Sequence, residues 1–145
     1  MKILIPIDGS AHSAAAIKHL IERVEWYRTA VTVDLVCVRP PLSPRLTRMA
    51  MSVPELEDCY RAEANGSLAL AKRMLDEAGI AHHQHIVVGD AAEMIVEQSR
   101  KAGADLILMA SRGMGGGVLL GSTAVKVLHL STGVPVQVVH CRTSF

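Results

Sequence analysis

The sequence predicts a doubly wound α/β domain, with one parallel sheet of five strands and four helices on its two faces. Three observations carry this reading. Short runs rich in Val, Ile and Leu recur along the chain, mostly continuous rather than alternating, as strands covered on both faces are. Between them lie segments whose apolar residues recur at helical spacing. Three of those segments end at a glycine (Gly79, Gly103, Gly133) and return within a few residues to the next strand, which is short αβ-loop chemistry. Strands alternating with helices imply right-handed crossovers and parallel pairing. Strand order does not follow from the sequence.

Each element has a local reason. Lys2–Ile7 is a short β-branched run, and Asp8-Gly9-Ser10 breaks it. Ser10 is an N-cap for a helix with Ala14, Ile17, Leu20, Ile21 and Val24 on its apolar side. Val31–Val38 is the second strand, and the prolines of Arg39-Pro40-Pro41-Leu42-Ser43-Pro44 forbid regular structure after it. Ser52-Val53-Pro54-Glu55 has the capping-box spacing and opens a helix that runs to about Glu77. The third strand lies near His83–Val88. Asp90-Ala91-Ala92-Glu93 is a second capping-box pattern, for a helix stopped by Gly103. Asp105–Ala110 is the fourth strand, Ser111–Gly121 a glycine-rich loop, and Ser122–Ser131 a helix with Val125, Leu128 and Leu130 on its apolar side. Gly133 ends that helix, and Val134–His140 is the fifth strand.

Composition narrows the function. The chain has 145 residues, 50% of them apolar and 20% charged, with a formal net charge of +1. That is one domain's worth of chain, expected as a single unit over 1–145, with a core large enough to need no disulfide or metal. The apolar content excludes disorder. No apolar run reaches the ~18 residues of a spanning helix, and the opening run is too short for a signal peptide. The near-neutral charge argues against a nucleic-acid partner, as do the few aromatics, Trp26, Tyr27, Tyr60 and Phe145. The three cysteines, Cys37, Cys59 and Cys141, have no short spacing and suit a reducing cytoplasm.

In such sheets ligands bind beyond the carboxyl ends of the strands, where strand order reverses. Two segments have that character, Asp8-Gly9-Ser10 and Ser111–Thr123. Glycines let backbone N–H groups approach an anion, the following helix start adds partial positive charge, Ser122 and Thr123 add hydroxyls, and Arg112 adds a full charge. This is the composition of a phosphate cradle, and equally of a flexible loop with plain N-caps. Two standard motifs fail: Val118 stands where the dinucleotide fingerprint needs glycine, and Ser122 stands where a Walker-A loop needs lysine.

The chain resembles the universal stress protein family over essentially its whole length. The resemblance rests on Ile3–Ser10 with Ser13–Ala16, Val88–Ile95, Ala104–Gly113, Leu119–Ala124 and Val134–Val139. It implies a five-stranded, Rossmann-like fold of the adenine nucleotide alpha hydrolase type. It also implies a cytoplasmic homodimer paired through the last strand, Val134–Val139. The nucleotide-binding branch of the family carries Gly, two residues, Gly, nine residues, then Gly followed by Ser or Thr. Here Ala110 replaces the first glycine, and seven residues separate Gly113 from Gly121. The implied ligand is ATP, with Mg²⁺ or Mn²⁺ on the phosphates. Asp8 and Val38 would lie at the adenine, and Pro6 and Ala110 near the ribose, with Ile7 in the same set. Arg112, Gly113, Gly121, Ser122 and Thr123 would lie along the phosphates. The implied role is a regulatory module in the stress response, with at most weak ATP hydrolysis; a dimeric interaction protein without nucleotide is the alternative.

Other constellations carry less. His83 and His85 share a strand face, but two ligands are too few for a metal site and an edge strand reads better. His12 and His19 lie on one side of the first helix, as surface or dimer-side residues. Arg39, Arg45 and Arg48 either close over phosphates or belong to a solvated loop. Trp26-Tyr27 reads as a core or interface plug.

Overall fold

The computed structural model describes residues 1–41, 43, 52–112 and 120–140. Five strands, β1 (Lys2–Pro6), β2 (Thr32–Arg39), β3 (Ala81–Val88), β4 (Leu106–Ala110) and β5 (Val136–Val139), alternate with four helices, α1 (Ala11–Arg23), α2 (Val53–Glu77), α3 (Ala91–Lys101) and α4 (Ser122–Leu130). All strand pairs are parallel, in the order β3-β2-β1-β4-β5. The order reverses between β1 and β4, which places a crevice at their carboxyl ends. Val36 and Asp34 of β2 share one sheet face with Leu4 of β1, as the register requires.

Two cores follow from the two faces. Ile3, Ile5, Val33, Leu35 and Cys37 face α1 and α2, whereas Leu4, Val36, Ile107 and Met109 face α3 and α4. In α2 the buried residues Ala64, Leu68, Ala71 and Leu75 recur at helical spacing and form one stripe against the sheet.

The helix starts are built as their sequences dictate. Ser10 Oγ accepts from the Ser13 N–H at 3.2 Å. Glu55 Oε2 accepts from the Ser52 N–H at 2.7 Å. Asp90 Oδ1 accepts from the Glu93 N–H at 3.1 Å, while the Glu93 carboxylate turns toward Lys126 instead of closing a capping box. Gly79 and Gly103 take left-handed backbone, φ +67° and +63°, just past α2 and α3.

The fourth helix departs from expectation twice. Gly133 has no left-handed role; Ser131 ends α4 in extended backbone, and its hydroxyl donates to the Val134 carbonyl at 2.6 Å. Its core face is Ala124 and Val127, while Val125, Leu128 and Leu130 are exposed. Ala124 and Val127 pack into the cluster formed by Ala92, Ile95 and Val96 of α3 with Leu4, Ile107 and Met109 of the sheet. Trp26 does not plug the core of this chain: it is 77% exposed, with the Arg23 guanidinium 5.3 Å above its ring, and of the pair Tyr27 packs on the core.

Candidate functional site

A cavity of about 350 Å³ opens at the carboxyl ends of β1, β2 and β4, at the point where strand order reverses. That is at the lower end of the ~300–1,000 Å³ usual for small-molecule sites. Each strand delivers its last residues to the wall: Pro6, Ile7 and Asp8 after β1, Val36 and Val38 from β2, Met109 to Arg112 from β4. The start of α3 adds Ala91 and Ile95, and the start of α4 adds Gly121, Ser122, Thr123 and Ala124.

Of the residues singled out in the sequence, Pro6, Ile7, Asp8, Val38, Ala110, Arg112, Gly121, Ser122 and Thr123 line this one cavity. Gly113 lies outside the described residues, as do Arg45, Arg48 and Cys141. Arg39 does not reach the cavity wall; it pairs with Glu63 of α2. Ser111 opens the candidate segment Ser111–Thr123 and also lines the cavity, whereas sequence reasoning missed Ser13, Val36, Ala91, Ile95, Met109 and Ala124. Val36 was legible, being two residues before Val38 on the same strand face. The contribution of α3 depends on strand order and left no local signal.

The polar side of the cavity has a defined wiring. Asp8 Oδ1 accepts from both the N–H and the hydroxyl of Ser10, at 2.9 and 2.6 Å. Asp8 therefore buttresses the start of α1 and also faces the cavity. Arg112 is half-buried at the end of β4. The Gly121 N–H donates to the Ser111 carbonyl at 2.6 Å, which pins together the two ends of the segment between β4 and α4. Gly121 is the N-cap of α4 and has no side chain to satisfy the first-turn N–H groups. Ser122 and Thr123 are thus the first two helical residues rather than caps.

Ala110 fits its place without strain. No described non-glycine residue has positive φ, so the methyl group replacing the expected glycine sits on ordinary strand backbone.

The inner wall is apolar. Val36, Val38, Ile95 and Met109 form a slot between the sheet and α3. An apolar slot ending in an uncapped helix start and one arginine suits a flat, weakly polar group at one end and an anion at the other.

The histidines of β3 stand at a sheet edge, as expected, but with an unforeseen neighbour. Asp34 of β2 is 3% exposed. Its Oδ1 lies 2.9 Å from His85 Nε2 and 3.7 Å from His83 Nδ1. No three His, Cys, Asp or Glu side chains among the described residues are arranged to hold a metal ion. No described helix is long and apolar enough to cross a membrane.

The chain matches the universal stress protein family over residues 1–140. It is 35% identical over 130 residues to the universal stress protein MJ0531 of Methanocaldococcus jannaschii, covering 88% of this chain and 75% of that one. The structure superposes on that of the hypothetical protein MJ0577 with a TM-score of 0.80 and 30% identity, over 99% and 97% of the two chains. Three more distant structures share the fold and hold nucleotides. A universal stress protein family member from Arabidopsis thaliana has AMP bound (TM-score 0.70, 15% identity, 99% and 93% covered). A universal stress protein in complex with cAMP follows (0.65, 23%, 97% and 97%). One from Archaeoglobus fulgidus is in complex with dAMP (0.63, 17%, 95% and 96%). With the family match spanning nearly every residue and the sheet order carrying the cavity at its switch point, this chain is a member of the universal stress protein family.

Proposed function

We propose that the chain is an adenine-nucleotide-binding regulatory module that acts as a homodimer through β5. The observation that carries the proposal is the cavity at the β1/β4 switch point, where an apolar slot runs up to Arg112 and the uncapped start of α4. The base would occupy the slot beside Val38 and Asp8, the ribose would lie by Pro6 and Ala110, and phosphate would meet Arg112, Ser122 and Thr123. A divalent ion would arrive on the phosphates of ATP and find the hydroxyls of Ser122 and Thr123. Relatives that hold AMP, cAMP and dAMP in the same fold support the choice of an adenine nucleotide. Binding is favoured over hydrolysis because Asp8, the one carboxylate on the described wall, is engaged by Ser10.

The test starts from protein as purified, without added nucleotide. It is denatured, and any released small molecule is separated by anion exchange and identified by absorbance and mass. Near-stoichiometric adenine nucleotide is the expected result. An empty extract, together with no heat of binding at millimolar nucleotide with Mg²⁺, would overturn the proposal in favour of a dimeric interaction protein.

A further inference from the structure

We infer that Lys126 of α4 is a two-position side chain, held by Asp90 and Glu93 of the α3 start in this structure and transferred to the anionic end of the ligand when the cavity fills. The inference rests on the nucleotide reading above and adds to it a further binding residue and a change of partner on binding.

The starts of α3 and α4 flank the cavity, with Ala91 and Ile95 on one side and Gly121 to Ala124 on the other. Lys126 bridges them. Its Nζ lies 2.9 Å from Asp90 Oδ1 and 3.8 Å from Glu93 Oε1. Asp90 Oδ1 is also the N-cap acceptor of α3 and takes the Glu93 N–H at 3.1 Å. One carboxylate oxygen therefore closes the first turn of α3 and holds a cation from α4. Each group supports the charge of the other: the Asp90 bond raises the Lys126 pKa, and the Lys126 bond lowers that of Asp90. At the far end of the same pair of helices, Arg100 of α3 donates to the Leu130 carbonyl and the Thr132 hydroxyl, both at 3.4 Å. The two helices are thus tied at both ends, and the tie at the cavity end is a cation.

Lys126 is placed to change partner. It follows Ser122 by four residues, so the two share a face of α4, and Ser122 lines the cavity. Helical side chains lean toward the N-terminus of their helix, which directs the Lys126 stem back over the first turn of α4. Four residues of helix rise about 6 Å, a distance that a lysine's flexible four-carbon stem covers. The head group can therefore reach either Asp90 or an anion seated at the α4 start.

The present partners hold it loosely. The side chains of Lys126, Asp90 and Glu93 are each half-exposed or more, and ion pairs that wet are weak. A phosphate monoester brings roughly −1.5 to −2 charges and three acceptor oxygens. It meets a helix start whose N-cap, Gly121, offers no side-chain acceptor. That anion competes favourably with a carboxylate for the ammonium. The transfer leaves the Asp90 cap on α3 in place and removes its tie to α4.

Titration calorimetry with adenosine and AMP tests the inference in the native protein, Lys126→Met, Asp90→Asn and the double variant. Asn keeps the N-cap of α3, and Met keeps most of the lysine stem. Lys126→Met should weaken AMP about three- to tenfold, with the loss confined to AMP because adenosine has no anion for Lys126 to meet. Asp90→Asn should tighten AMP by freeing Lys126, and that gain should be largely lost once Lys126 is Met. Unchanged AMP affinity in Lys126→Met, or an equal loss for adenosine, would overturn the inference and leave the nucleotide reading standing. An equal gain from Asp90→Asn in both backgrounds would show that Asp90 acts by its own charge, and would overturn the transfer. Failure of both ligands to bind the native protein would overturn the nucleotide reading itself, and the inference with it.

Discussion

Asp34 is the one carboxylate buried among the described residues, and its neighbours decide what it costs. Its Oδ1 accepts from His85 Nε2 at 2.9 Å, so that nitrogen carries the proton when the carboxylate is ionised. Its Oδ2 is buried without a hydrogen-bond partner. A buried acceptor that loses its only close donor costs about 1–3 kcal/mol, more if it stays charged. His85→Ala should therefore destabilise the fold by that amount in urea unfolding. In an Asp34→Leu background the same change should be nearly neutral, because no acceptor remains to be orphaned. A loss below ~0.5 kcal/mol for His85→Ala in the native background would show that Asp34 does not depend on this bond. The spacing of His83 and His85 revealed their shared face, because period 2 is local. It did not reveal Asp34, because that contact needs β2 to lie beside β3, and no residue in either strand announces its neighbour.

Elements were legible to the extent that their ends are local chemistry. Ser10, Ser52 and Asp90 open their helices where the sequence places them, since an N-cap needs only its own first turn. The face of α4 was not legible. Val125 and Leu128 satisfy the helical period as well as Ala124 and Val127 do, and only packing against the sheet chooses between the pairs. A similar tertiary choice sets His19 on α1. Its Nε2 lies 3.1 Å from Gln137 Nε2 of β5, which ties the helix to the edge strand. Burial, aided by the Arg23 charge, holds His19 below its ordinary pKa of 6.5. The folded chain thus binds fewer protons at this site than the unfolded chain. Stability from this group is present above the ordinary imidazole range and falls as pH drops through it. His19→Gln should flatten the decline in unfolding midpoint between about pH 7 and 5 that the native protein shows. An unchanged slope would assign that decline to other groups.

At the scale of the molecule, strand order turns a set of legible strands into a site. The alternation gave five parallel strands, but only the order β3-β2-β1-β4-β5 brings the ends of β1 and β4 together over the starts of α3 and α4. The same order leaves β5 at an edge, and the edge has a defined polarity. The Ile107 N–H donates to the Pro135 carbonyl and the Ser111 N–H to the Val139 carbonyl, so alternate residues 135, 137 and 139 face β4. Val136 and Val138 then present their N–H and carbonyl groups outward, on a strand whose other residues are Gln137 and Val139. An apolar edge with open hydrogen-bonding groups is a template for another strand, and a two-fold copy of itself is the occupant that the proposed homodimer requires. Proline at an outward position deletes one of those donors while sparing the ladder to β4, the one placement an edge strand tolerates. Val138→Pro should therefore convert dimer to monomer in light scattering, while the circular dichroism spectrum keeps its mixed α/β shape. Gln137→Pro, which removes an N–H facing β4, should instead lower the melting temperature. If Val138→Pro left a dimer of native mass, pairing through the outward groups of β5 would be wrong, and another surface would have to hold the copies together.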